Sequence, residues 1–83
     1  MNVQVLFFAA LRDLMQGESE LALAVPEQCR TVEQLLRFLE SAAPQLAGRL
    51  ASTRVALNEE FVELSHPIRE DDTIALIPPV AGG

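Results

Sequence analysis

Thr31-Val32-Glu33-Gln34-Leu35-Leu36-Arg37-Phe38-Leu39-Glu40-Ser41-Ala42-Ala43 is the stretch on which the reading of the fold turns. Thr31 and Gln34 have the spacing of a capping box, in which each side chain satisfies a backbone amide of the other. Val32, Leu35, Leu36, Leu39 and Ala43 then recur as one stripe of an α-helix, and Glu33, Arg37 and Glu40 fall off it, toward water. Pro44 ends this helix or opens a following turn over 45–50. No other segment predicts a long helix. The flanking chain must therefore supply the strands that cover one apolar helical face.

Upstream, Asn2-Val3-Gln4-Val5-Leu6-Phe7-Phe8 is rich in β-branched and aromatic residues. Strand parity puts Val3, Val5 and Phe7 on a core face, and Asn2, Gln4, Leu6 and Phe8 on the other, which begins polar and ends apolar. Ala9 to Met15 favours a short helix with Gly17 placed to end it. Glu20 to Val25 alternates, with Leu21, Leu23 and Val25 inward, and stops at Pro26; its closeness to the first strand predicts an antiparallel pair. Downstream, Arg54 to Asn58 reads as a strand with Val55 and Leu57 inward. Asn58-Glu59-Glu60 reads as a turn, Phe61 to Leu64 as a short strand, and Ser65-His66-Pro67-Ile68 as irregular. Glu70-Asp71-Asp72 is a turn with carboxylates suited to capping amides, and Thr73 to Ile77 is the last strand.

One helix across one face of a mixed sheet satisfies this order, with the two terminal strands side by side in the middle. That is an α+β fold in the β-grasp arrangement, expected over 1–77, with an extended tail over 78–83. A ferredoxin-like domain needs a second full helix, and the span from Leu64 to Asp72 is too short and too interrupted by proline to supply one.

Eighty-three residues make one small domain, and 49% apolar with 22% charged residues suits a globular one. Twelve acids against six bases leave a net charge of −6, which argues against nucleic acid and against an anionic membrane surface. No apolar run reaches the length of a span, and no leader is read at the start. One cysteine cannot staple a fold, so a cytoplasmic setting is expected. All six bases are arginine. With one histidine, any Ser/His/Asp or Cys/His site must be built on His66, so self-contained catalysis is not expected. His66, before Pro67, reads as structural. Cys29, beside Arg30, reads as a spare small hydrophobe in preference to a reactive thiol. Glu59, Glu60, Glu63, Glu70, Asp71 and Asp72 lack metal-ligand spacing, so no metal is expected, and these acids suit steering toward a basic partner.

The tail is built differently from the domain. Pro78 and Pro79 have no amide hydrogen and a fixed φ, so they end sheet pairing and hold the chain extended. From Pro78 through Val80, Ala81 and Gly82 to Gly83 the tail has a reach of about 20 Å at ~3.3 Å per residue. Gly82 and Gly83 carry no side chains, so a terminal carboxylate can enter a narrow channel. Parity also turns Leu6, Phe8, Ala75 and Ile77 outward, with Phe61 opposite in register to Val62. If the terminal strands pair in parallel, Phe8, Phe61 and Ile77 make one patch at the root of the tail; otherwise they are scattered surface hydrophobes. Arg12 is either a polar anchor at its rim or a solvated helix charge.

Val5-Leu6-Phe7-Phe8-Ala9 with Arg12-Asp13-Leu14, then Thr31-Val32-Glu33, Asn58, His66-Pro67 and Pro78-Pro79-Val80-Ala81-Gly82-Gly83 together carry a resemblance. Over nearly its whole length the chain resembles the small-subunit family of molybdopterin synthase, the ubiquitin-like sulfur carriers. The resemblance implies that an E1-like, ATP-dependent adenylating enzyme activates Gly83 and that a sulfur donor system converts it to a thiocarboxylate. The tail, Pro78 to Gly82, then inserts into a large subunit and donates sulfur to cyclic pyranopterin monophosphate. It also implies that Phe8, Phe61 and Ile77, with Arg12, contact both partners, that two small pair with two large subunits, and that no cofactor is permanently bound. Two positions depart from the family pattern: Asp71-Asp72 replaces a turn with glycine beside the acid, and Ala81 stands where Ser or Thr is frequent. A carrier for thiamine thiazole or cysteine synthesis and a ubiquitin-like protein modifier remain the alternatives. The absence of lysine counts against self-linked chains.

Overall fold

The terminal strands of the chain pair with each other, and the rest of the sheet is laid outward from that pair. A computed structural model describes residues 1–79; Val80 to Gly83 lie outside the described residues. β1 (Asn2–Phe7) runs parallel to β5 (Thr73–Ile77), with Val5 opposite Ile74 and Phe7 opposite Leu76. β2 (Glu20–Ala24) is antiparallel to β1. On the other side, β3 (Arg54–Leu57) is antiparallel to β5, and β4 (Glu60–Val62) to β3. The five-stranded order is β2-β1-β5-β3-β4, a mixed sheet of the β-grasp kind.

α2 (Val32–Ala42) lies against the inner face of this sheet. Its expected stripe is buried throughout: Val32, Leu35 and Leu39 have no exposed surface, and Leu36 and Ala43 are also in the core. They pack in one cluster with Val3, Val5, Phe7, Val55, Leu57, Ile74 and Leu76. Burying a Leu or Val side chain this completely is worth ~1.5–3 kcal/mol each. The capping box forms in both directions: Gln34 N–H donates to Thr31 Oγ1 at 3.3 Å, and Thr31 N–H to Gln34 Oε1 at 3.2 Å.

The first two helical amides go elsewhere. Val32 N–H donates to the His66 carbonyl at 3.0 Å and Glu33 N–H to the Leu64 carbonyl at 2.9 Å. This explains why β4 stops at Val62 when the sequence suggests continuation to Leu64. The carbonyls of that segment serve the N-terminus of α2, whose amides have no partner within the helix. It also gives the backbone of His66 a structural task, while its ring is exposed.

The short helix α1 (Ala9–Leu14) ends one residue short of the expected Met15, and the turn that closes it begins at Gln16, ahead of the expected Gly17. Gln16 takes the left-handed conformation at φ +59°, and Gly17 follows at +85°, its N–H returning to the Arg12 carbonyl at 3.0 Å. After α2, Pro44–Leu46 form a 3-10 turn that buries Leu46. No helix among the described residues is long and apolar enough to cross a membrane.

Candidate functional site

Every second residue of the same strands faces away from α2, and the register aligns these residues in rows. Leu6 stands opposite Ala75, Ala75 opposite Ala56, and Ala56 opposite Phe61. Phe8 and Ile77 each follow the Phe7–Leu76 pair by one residue, and Arg54 is opposite Ile77. Two alanines at the middle of the row leave a shallow concavity of about 590 Å³. Leu6, Phe8, Phe61 and Ile77 wall it, with Thr73, Asn58 and Glu59 at its polar end. Phe8 is 44% and Phe61 56% exposed, large values for phenylalanine. The expected patch of Phe8, Phe61 and Ile77 is thus one surface, because the terminal strands do pair in parallel.

The polar end is held by a clasp between two turns. Asn58 and Glu59 form a two-residue hairpin turn with φ of +50° and +74°, the type I′ geometry whose twist matches the strands. Asn58 tolerates that φ, and its side chain does more. Its Nδ2 donates to Asp72 Oδ1 at 2.9 Å, and its Oδ1 accepts from Thr73 N–H at 2.9 Å. Asp72, only 8% exposed, also accepts from Arg69 N–H at 2.7 Å through Oδ2. The turn at 70–72 therefore keeps its shape without glycine: Asp71 takes φ +66°, and the carboxylate of Glu70 receives Asn2 N–H at 3.1 Å. The bonds of Asn58 tie the hairpin turn that precedes Phe61 to the start of β5.

Arg54 is a feature of this face that the sequence reading did not single out. Its guanidinium carbon lies 3.9 Å from the centroid of the Phe61 ring. Such a stack at an exposed site is worth ~0.5–1 kcal/mol. Parity carried the signal, since Arg54 and Ala56 share a strand face and Ala56 is paired with Phe61.

Ile77 leads directly into Pro78, half-buried, and Pro79, exposed. The outer patch therefore sits at the root of the tail, while the expectations for Val80, Ala81, Gly82 and Gly83 fall outside the described residues. Arg12 is exposed on α1 but does not line the concavity, and among the described residues it forms no ion pair. Cys29 is buried, its Sγ 3.8 Å from the Gln34 carbonyl. Among the described residues no three His, Cys, Asp or Glu side chains gather to hold a metal ion.

Three comparisons bear on this geometry. The molybdopterin synthase sulfur carrier subunit of Escherichia coli is 33% identical over 84 residues, covering 98% of this chain and 99% of that protein. Among solved structures, SAMP1 of Haloferax volcanii, a small archaeal modifier protein, superposes with a TM-score of 0.85 at 27% identity over the full length of both chains. A chain from the complex of subunits 1 and 2 of the molybdopterin-converting factor of Helicobacter pylori also matches over the full length of both chains, at 27% identity and a TM-score of 0.69. Residues 5–83 match the model of the ThiS family, and with the β-grasp sheet and the full-length likeness to curated sulfur carriers this establishes that the chain belongs to that family.

Proposed function

We propose that this chain is the sulfur-carrier subunit of a molybdopterin synthase. The observation that carries the proposal is the apolar outer face at the base of a Pro78-Pro79 tail that ends in Gly82-Gly83. A docking surface belongs at the root of a segment that must be delivered into another protein. The likeness to named sulfur carriers over the full chain supports the same reading.

In this cycle the Gly83 carboxylate attacks the α-phosphate of ATP on an E1-like adenylating enzyme, releasing pyrophosphate and forming an acyl adenylate. A carboxylate oxygen is a poor leaving group; AMP is a good one. Sulfide-level sulfur (HS⁻ equivalent) from a donor system attacks the acyl carbon, AMP leaves, and a thiocarboxylate remains, a soft nucleophile that is ionised at neutral pH. The carrier then docks through Phe8, Phe61 and Ile77, with Arg12 as a peripheral contact, and threads Pro78 to Gly83 into the large subunit. There its sulfur passes to cyclic pyranopterin monophosphate, and hydrolysis returns the carboxylate. Gly82 lets the backbone pass close to catalytic groups of the partner. The acid–base residues belong to that partner, so the chain alone is no enzyme and holds no permanent cofactor. The working assembly is two small and two large subunits in the cytoplasm.

The test is mass spectrometry of the C-terminal peptide after incubation with ATP, an activating enzyme and a sulfur donor. Trypsin cleaves after Arg69 and releases Glu70 to Gly83, which contains neither Cys nor Met, so a sulfur-for-oxygen shift is not confused with oxidation. An alkylatable shift on this peptide is expected. An unmodified peptide, with the same enzyme active on another carrier, overturns the proposal. The likeness to a small archaeal modifier protein favours a second reading as a protein modifier. In that case Gly83 appears joined to lysines of other proteins.

A further inference from the structure

Away from its polar end at Thr73, Asn58 and Glu59, the outer face carries one guanidinium, that of Arg54, which rests against Phe61. Arg54 lies across the strand from Ile77, the last residue before Pro78, and is stacked on Phe61 at 3.9 Å. Stacking uses the flat face of the guanidinium and leaves its N–H donors pointing along the plane, away from the ring. Arg54 is exposed, and among the described residues no carboxylate lies within ion-pair distance of it. A partner that covers Phe8, Phe61 and Ile77 also strips water from those donors. Covering them with apolar surface leaves a charge without acceptors, a cost that removes much of the gain from burying the phenylalanines. A carboxylate, planar and able to accept two parallel N–H bonds, removes that cost.

We propose that Arg54 is a partner-selecting residue: the large-subunit surface that covers this face presents an Asp or Glu carboxylate to the Arg54 guanidinium, beside the root of the tail. This rests on the docking reading given above. Contact with Phe61 biases Arg54 toward this position, so less side-chain freedom is lost when the pair forms. Surfaces that are equally apolar but lack the acid are discriminated against, which gives an overall acidic carrier a positively charged point of register.

The experiment is calorimetric titration of the purified large subunit into the full chain and its variants, at low and at high salt. Phe8→Ser serves as the reference for the docking face. Arg54→Met is expected to raise Kd about tenfold and to flatten its salt dependence, and Arg54→Glu to raise it at least about a hundredfold. Arg54→Lys is expected to recover part of the loss, because the charge returns without the planar fork. Recovery by lysine also separates the charge from any effect on folding. Binding by Arg54→Met as tight as or tighter than that of the unaltered chain, with the same salt dependence, overturns the proposal while leaving the docking face intact. If Phe8→Ser also binds undiminished, or the unaltered chain does not bind at all, the docking reading itself fails and the role of Arg54 fails with it.

Discussion

On the side of the sheet that meets α2, Val5, Ile74 and Leu76 have no exposed surface. On the opposite side their chain neighbours Leu6, Ala75 and Ile77 stay half-buried, and Phe8 and Phe61 stand in solvent. The strands are the same; only parity differs. Alternation of side chains along a strand lets one backbone serve two faces, with one set of residues closing the core and the next set left outside it. Substitutions one residue apart should therefore have different consequences, and that is the way to break the comparison.

The largest effect is expected at neither face but at the tail. Adding one residue beyond Gly83 should abolish sulfur transfer in a reconstituted assay and leave the melting temperature unchanged; retained transfer would sink the tail mechanism. Next come the adjacent residues of β5. Leu76→Ala should lower stability by ~2–5 kcal/mol in urea titration, with little change in the affinity of the molecules that remain folded. Ile77→Ala should cost under ~1 kcal/mol in stability yet weaken large-subunit binding about tenfold. Equal losses of stability at the two positions would mean that the faces are not separable.

The clasp sharpens the same contrast at the edge of the sheet. Asn58→Ala removes both side-chain bonds, leaves Thr73 N–H without its acceptor, and should cost ~1–3 kcal/mol. Asn58→Gly keeps the backbone conformation while removing the side chain, so its share of that loss isolates the hydrogen bonds. Thr31→Ala, far from the outer face, should cost ~1 kcal/mol through loss of the cap and leave binding untouched. The smallest effect belongs to the stack: a double-mutant cycle on Arg54 and Phe61 should give a stability coupling of ~0.5–1 kcal/mol.

Local physics made most of the fold legible. The capping box and stripe at 31–43 specify a helix because the partners are three or four residues apart, and the strand faces follow from a period of two. The turn at 70–72 was open to reading because Asp tolerates a left-handed φ, which Asp71 adopts. Where the reading strayed at β4, the cause was a distant partner. The strand expected at 61–64 ends at Val62 because α2, more than thirty residues earlier in the chain, takes the Leu64 carbonyl. At the end of α1 the cause was local: Gln16 N–H donates to the Asp13 carbonyl and Gly17 N–H to the Arg12 carbonyl, which closes the turn around a left-handed Gln16.

The sequence by itself determined the helix, the strand parity, the apolar outward residues and the composition of the tail, since each depends on neighbours within a turn or a pleat. Tertiary structure alone decided that Arg54 lies on Phe61, that Asn58 holds Asp72, and that Leu6 and Ala75 share a row with Ala56. These depend on register across β1, β5, β3 and β4, where a slip of one residue would turn every side chain to the other face. Core packing against α2 sets that register, so the candidate docking face is a consequence of how the opposite face is filled.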